Sequence, residues 1–224
     1  MKMGLVKLGL KLKRMREPFH QFISKQAVGK HVLNIGAAGG VHRYLPLAKD
    51  DWLHEHLRRG ASELVGTDID NDPIAHAREH GYDILNENCE TMTLGCKFDL
   101  IVMSEVIEHV NAPVTAVENL LSHLDDGGEL VITTPNASAG NICLRSLVRR
   151  DFNVFADHVT TFYPEHFRVI CDRLGCVLDT VYMFDYIDRR SRLLRFKSAL
   201  FKLMTIFSPR LASSILVVIK KGGV

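Results

Sequence analysis

Short β-branched runs alternating with helical stretches predict an α/β fold, a mostly parallel sheet with helices on both faces. Two further observations support that class. The chain has 224 residues, 46% hydrophobic and 24% charged, values that suit one domain with a complete core and exclude wholesale disorder and fibrous repeats. A cluster of small residues, Gly36 to Gly40, closes the first strong strand, where open α/β sheets place their ligands.

The elements follow in order. His31 to Ile35 reads as the first strand. Asp50 to Arg59 has helical spacing, with Trp52, Leu53 and Leu57 on one side. Glu63 to Thr67 is a second strand, followed directly by Asp68. Asn71-Asp72-Pro73 starts a helix with proline in its first turn, and Gly81 stops it. Asp83 to Leu85 is a weak third strand and Asp99 to Met103 a strong fourth. A helix is predicted over Pro113 to Leu124. Asp126-Gly127-Gly128 then turns the chain into Glu129 to Thr133, which ends at Thr134-Pro135-Asn136. Pro164 to Leu174 is helical and stopped by Gly175, Cys176 to Phe184 is a long strand, and Ser214 to Ile219 is the last. Two segments stand outside the alternation. Residues 1–29 form a basic N-terminal extension read as helical. Within the main domain, 30–224, residues 189–212 form a basic amphipathic insertion, with Leu193, Phe196, Leu200, Leu203 and Phe207 at three- and four-residue steps.

The net charge of +2 conceals a split. Residues 1–30 hold eight Lys/Arg against one acid, residues 188–224 nine against one, and the body between them eleven against twenty-four. Basic ends on an acidic body suggest an anionic partner met by the ends alone, with an anionic membrane surface, reached through 1–29 and 189–212, on a level with a helix packed on the sheet whose basic face is simply solvated. Nucleic acid is disfavoured, because the acidic body offers no broad binding surface. The apolar run Leu211 to Ile219 is nine residues, against about 20 needed to span a bilayer. Met1 to Leu12 is interrupted by Lys2, Lys7 and Lys11 and does not read as a secretory signal. Five cysteines without a CxxC then read as reduced thiols of a cytoplasmic protein, peripheral on the inner face of the membrane if the ends bind it.

The strongest local signal is Val32-Leu33-Asn34-Ile35-Gly36-Ala37-Ala38-Gly39-Gly40. Small residues let the backbone approach a ligand closely, although a tight strand-to-helix turn uses the same residues. Asp68, at the end of the next strand, would face the same cleft and can accept both hydroxyls of a ribose. Ala38 and Val41 stand where the dinucleotide fingerprint needs glycines, so a nucleoside without phosphates fits better than a pyrophosphate.

This arrangement resembles the class I S-adenosylmethionine-dependent methyltransferases, whose first motif, [DE]-x-G-x-G-x-G, reads Asn34-Ile35-Gly36-Ala37-Ala38-Gly39-Gly40 here. The acid is replaced by Asn34 and the middle glycine by Ala38. The resemblance continues through Val65-Gly66-Thr67-Asp68, Asn88-Cys89-Glu90, Phe98 to Val102, and Leu124 to Gly128 with Thr133 to Asn136, and covers roughly residues 30–185. It implies a Rossmann-like sheet of seven strands with an antiparallel last strand. It also implies that S-adenosylmethionine is held by Asn34, Gly36, Ala38, Gly40, Asp68, Ile69, Asn88, Cys89 and Ser104.

Ser104-Glu105-Val106-Ile107-Glu108-His109-Val110 follows the fourth strand, where the methyl acceptor should sit. In a helical turn Glu105, Glu108 and His109 would share a face, with His158 a further partner. These four side chains are candidate ligands of a divalent metal, Mg or Zn, and Glu105, His109 and His158 are candidate general bases. A packing role that closes the pocket uses the same residues. The Glu-x-x-Glu-His pattern resembles the ubiquinone-biosynthesis O-methyltransferases and the methyltransferases of small-RNA ribose 2′-hydroxyls. The set Gly-Ala-Ala-Gly-Gly-Val-His, Trp52-Leu53-His54, Glu-Val-Ile-Glu-His and Asp157-His158-Val159 looks most like methyltransferases of surface-glycan clusters. The expected activity is therefore O-methylation of a small-molecule or glycan hydroxyl. Alternatives are a metal-dependent RNA ribose 2′-O-methyltransferase and a non-catalytic, membrane-associated binding module of the same fold.

Overall fold

The computed structural model of the chain describes residues 9–148, 155–185, 205 and 208–222. One sheet of eight strands runs through the molecule: β1 (Leu12–Arg14), β2 (His31–Ile35), β3 (Glu63–Asp68), β4 (Ile84–Asn86), β5 (Phe98–Ser104), β6 (Leu124–Pro135), β7 (Val177–Phe184) and β8 (Ser214–Lys220). Their order is β1-β7-β8-β6-β5-β2-β3-β4. Only β8 runs against its neighbours, β6 and β7; the other pairings are parallel. The expected mostly parallel, Rossmann-like sheet with an antiparallel last strand is present. An eighth strand is added because Leu12–Arg14 pairs with Val181 to Met183 at the sheet edge. Three residues, two of them basic, carry no alternation by which a strand could be read.

Helices cover both faces. They are α1 (Phe19–Ala27), α2 (Val41–Tyr44), α3 (Leu53–Arg58), α4 (Asn71–Glu79), α5 (Pro113–Ser122), α6 (Gly140–Val148) and α7 (Pro164–Leu174). Period-two alternation divides the central strands between two apolar layers. Leu33, Ile35, Ile101, Met103 and Ile132 meet Val117 and Leu120 of α5 and Phe167 and Ile170 of α7. Val32, Leu100, Val102 and Val131 face Phe19 and Ile23 of α1 and Leu57 of α3. Each such fully buried side chain contributes about 1.5–3 kcal/mol, enough for short helices to be held by packing rather than propensity. Proline sits in the first turn of both α5 and α7, and Gly175, at φ 65°, ends α7 in the left-handed conformation.

Within residues 1–29, the described part comprises edge strand β1 and helix α1, whose Phe19 stacks on Phe184 at 5.8 Å. Most of 189–212 lies outside the described residues; its described end is a 3₁₀ turn, Pro209–Leu211, leading into β8. No described helix is long and apolar enough to cross a membrane.

Candidate active site

The parallel strands bring Gly36 to Gly40, Asp68, Ser104 and the end of β6 to one edge of the sheet. Gly36 and Gly40 both take φ 70°, a conformation that favours glycine. At Gly36 a Cβ would also lie 2.4 Å from Val106 Cγ2, so the loop closes only on a bare backbone. Asp68 ties the loop to β3. Its Oδ2 accepts from the Ala38 N–H at 2.9 Å, and its Oδ1 accepts from the N–H groups of Ile69 at 2.8 Å and Asp70 at 3.2 Å. Three bonds leave room for a further donor, since a carboxylate offers about four lone-pair sites. Ile69, beside it in sequence, is 68% exposed. Asn88 is exposed and caps a turn through the Glu90 N–H at 2.9 Å, while Cys89 is buried and its thiol is pushed up to about 11 by that burial.

Two of the expected cofactor residues have partners within the fold. Asn34 and Ala38 are buried, 2% and 0% exposed, beneath the loop. The Asn34 amide meets His54 Nδ1 at 3.2 Å, and Ala38 offers its N–H to Asp68. Strand alternation explains Asn34: it points to the sheet face opposite Leu33 and Ile35.

The segment after β5 is a tight turn, not the helical turn that would align Glu105, Glu108 and His109. Glu105 sits at φ 54°, outside the helical region. Its N–H bonds the Thr133 carbonyl at 3.0 Å, and Thr133 Oγ1 donates to Oε1 at 3.0 Å. Ser104 Oγ lies 2.9 Å from the same Thr133 hydroxyl. Burial, with Glu108 nearby, pushes the Glu105 carboxyl up to about 8. Glu108 is 1% exposed. Thr134 Oγ1 donates to its Oε2 at 3.0 Å, whereas Oε1 is buried with no partner among the described residues. Burial raises its proton affinity as well.

Glu108 meets His109 and His158, their ligand atoms lying within 4.8 Å of one another; Glu105 is outside this group. The two imidazoles are edge-to-face at 4.6 Å. His109 Nδ1 lies 3.1 Å from the Asp157 carbonyl and 3.3 Å from its carboxylate, which holds the proton on Nδ1 and leaves Nε2 as an acceptor. Burial, then His109, lowers the proton affinity of His158. Glu108 and His158 form one wall of a cavity of about 430 Å³, whose other sides include Thr134, Asn141, Phe155 and Tyr163. Thr133, Thr134 and Phe155 carried no signal as site residues beyond the Thr-Thr-Pro-Asn match, because hydroxyls and lone aromatics are common in any strand or loop.

A family model described as "Methyltransferase domain" matches residues 10–181. Among curated relatives, the ubiquinone biosynthesis O-methyltransferase of Coxiella burnetii is 29% identical over 115 residues, which is 48% of this chain and 44% of that protein. The match therefore spans less than half of that relative's length. A SAM-dependent methyltransferase from Archaeoglobus fulgidus superposes with TM-score 0.57 at 16% identity, over 90% of this chain and 94% of that one. The N-methyltransferase NodS of Bradyrhizobium japonicum, in complex with S-adenosyl-L-homocysteine, gives 0.56 at 17% identity, over 91% and 84%. With the glycine loop and Asp68 in place at the carboxyl edge of this sheet, the chain belongs to the class I S-adenosylmethionine-dependent methyltransferases.

Proposed function

We propose that the chain transfers the methyl group of S-adenosylmethionine to a hydroxyl of a small molecule or glycan. The observation that carries this reading is Glu108: a carboxylate 1% exposed, with one oxygen unpartnered among the described residues, on the wall of a cavity lined by the end of β6, by α6 and by the segment before α7. A buried acceptor without a donor costs about 1–3 kcal/mol, and an acceptor hydroxyl entering the cavity would supply that donor.

The glycine loop, Asp68, Ile69 and Asn88 would hold the cofactor, with Asp68 accepting from a ribose hydroxyl and Ile69 offering an apolar contact. S-adenosylmethionine, when bound, would supply an electrophilic methyl group and leave as a thioether, and the acceptor's hydroxyl proton would pass to a protein base. Alignment of acceptor oxygen, methyl carbon and sulfur supplies much of the rate. Glu108, whose proton affinity burial has raised, and His109, whose Nε2 is left free to accept by Asp157, are the bases on offer, and His158 lines the same cavity as Glu108.

Glu108, His109 and His158 also suit a divalent cation: two imidazoles and a carboxylate converge there and one carboxylate oxygen awaits a partner. Such an ion, when bound, would make the acceptor hydroxyl more acidic.

A mass-spectrometric screen of sugar, phenol and RNA acceptors, with and without a chelator, tests the acceptor class and the metal together. Methyl transfer to a sugar or phenol is expected, and transfer to RNA ribose alone, or to no acceptor, overturns the reading. Asp68→Ala should weaken S-adenosylmethionine binding about ten- to hundred-fold by calorimetry, since hydrogen bonds to charged groups are worth about 1.5–3 kcal/mol. Unchanged affinity would remove Asp68 from the site.

A further inference from the structure

The first motif of this chain lacks its acid, and the structure has built something else beneath the loop. Asn34 stands one residue before the end of β2, with Gly66 opposite it in register on β3. A Cβ at Gly66 would lie 2.7 Å from His54 Cε1 and 2.9 Å from Ala37 Cβ. The glycine therefore opens a slot, and His54 of α3 fills it, 4% exposed, with Nδ1 at 3.2 Å from the Asn34 amide nitrogen. Trp52, one residue before α3 and 2% exposed, donates its indole N–H to the Ala37 carbonyl at 3.1 Å. The Ala37 N–H in turn bonds the Thr67 carbonyl at 2.9 Å. The loop is thus gripped at Asn34 and at both backbone groups of Ala37.

α3 itself is fixed. Trp52 packs edge-on against Tyr82 at 4.8 Å, and the Tyr82 hydroxyl donates to Glu55 at 3.0 Å. Glu55, 2% exposed, also takes Arg58 and Arg59 and is lowered to about 2, with the Arg58 hydrogen bond the largest lowering cause. We propose that His54, acting through Asn34, and Trp52, acting through Ala37, are positioning residues that set the glycine loop for the cofactor in place of the motif acid. This inference rests on the reading that the loop holds S-adenosylmethionine.

The chemistry of the pair is consistent. With the Asn34 amide nitrogen facing it at 3.2 Å, Nδ1 accepts in the tautomer that carries its proton on Nε2. Burial lowers the His54 imidazole to about 4, with Glu55 opposing and Arg58 assisting from the same helix. The facing groups on β2 and β3, Asn34 and Gly66, are uncharged, and the Tyr82 ring lies 6.2 Å away. The acceptor is therefore available throughout neutral pH and is lost only in acid.

Calorimetric binding of S-adenosylmethionine to the full chain tests this. His54→Phe keeps the ring and removes the acceptor, and Trp52→Phe removes the indole donor. Each should weaken binding about ten-fold at pH 7, the equivalent of one hydrogen bond at about 1.4 kcal/mol per decade. The wild-type affinity should fall below about pH 5 as His54 protonates, and this acid limb should be absent in His54→Phe, a signature that loss of packing alone would not give. A His54→Phe protein within two-fold of wild type, with the same pH profile, overturns the inference while leaving the cofactor assignment standing. A wild-type chain that binds no S-adenosylmethionine overturns the cofactor assignment and this inference with it. Should His54→Phe fail to fold, nitrogen-15 imidazole spectra of the wild type decide. An unprotonated Nδ1 that shifts on adding S-adenosylmethionine supports the inference, and a protonated or unmoved Nδ1 overturns it.

Discussion

Among the described residues Glu105 is the only non-glycine with positive φ, at 54°. A left-handed conformation costs an L-residue about 1–2 kcal/mol, and here it is imposed by the two bonds to Thr133. Strain of this kind persists where the surroundings over-determine it and concentrates at working sites. Glu105→Gly should therefore stabilise the protein by about 1 kcal/mol, raising Tm by roughly 2–4 °C for a chain of this size, while methyl transfer falls. Thermal unfolding and single-turnover transfer measured on the same preparation check both halves; a lower Tm would show that the Thr133 bonds outweigh the strain. The chemistry of Glu105 was legible in the sequence, since a carboxylate after the fourth strand of such a sheet stands at the ligand edge. Its backbone angle was not, because spacing alone made Glu105, Glu108 and His109 one helical face. For Asn34, kinship to the motif acid suggests a cofactor contact, and only strand parity, which turns it toward His54, shows what it touches in the fold.

At the level of elements, the turn after β5 and the loop after β2 are one piece. Val106 fills the space over Gly36, so the acceptor side and the cofactor side of the site share a contact that neither motif reveals alone. Gly36→Ala should weaken S-adenosylmethionine binding strongly and cost about 2 kcal/mol or more of stability, through both the clash and the positive φ. Adding Val106→Ala should restore part of the stability, leaving the conformational penalty of about 1 kcal/mol. Urea unfolding of the two single variants and the double variant closes the cycle, and strict additivity would show that the two segments do not press on each other. The strands that line the site were readable because their β-branched runs are buried on both sides, and the helices because proline and glycine punctuate α4, α5 and α7. β1 was not, since an edge strand of three residues is specified by its neighbour β7 rather than by its own pattern.

Over the whole molecule, the charge split acquires a direction. Lys11, Lys13, Arg14 and Arg16 are exposed on and beside β1, at the end of the sheet opposite β4. Arg14 pairs in register with Met183, and Phe184, Ser214 and Pro135 follow across β7, β8 and β6. At about 4.8 Å per strand, Arg14 lies roughly 15 Å from the cavity wall at Pro135, at the same end of the strands. Each Lys or Arg near an anionic bilayer is worth about 1 kcal/mol, screened within a Debye length. The four together would bring the cavity to within reach of an acceptor carried in the membrane. We therefore expect the protein to sediment with phosphatidylglycerol vesicles at low salt, to be released as salt is raised, and to ignore phosphatidylcholine vesicles. Reversing the charges of Lys11, Lys13, Arg14 and Arg16 to Glu should reduce the bound fraction without changing S-adenosylmethionine affinity, because none of them approaches the glycine loop. Vesicle binding that survives those reversals would place the contact elsewhere on the chain, and the absence of binding at low salt would remove the membrane from the reading altogether.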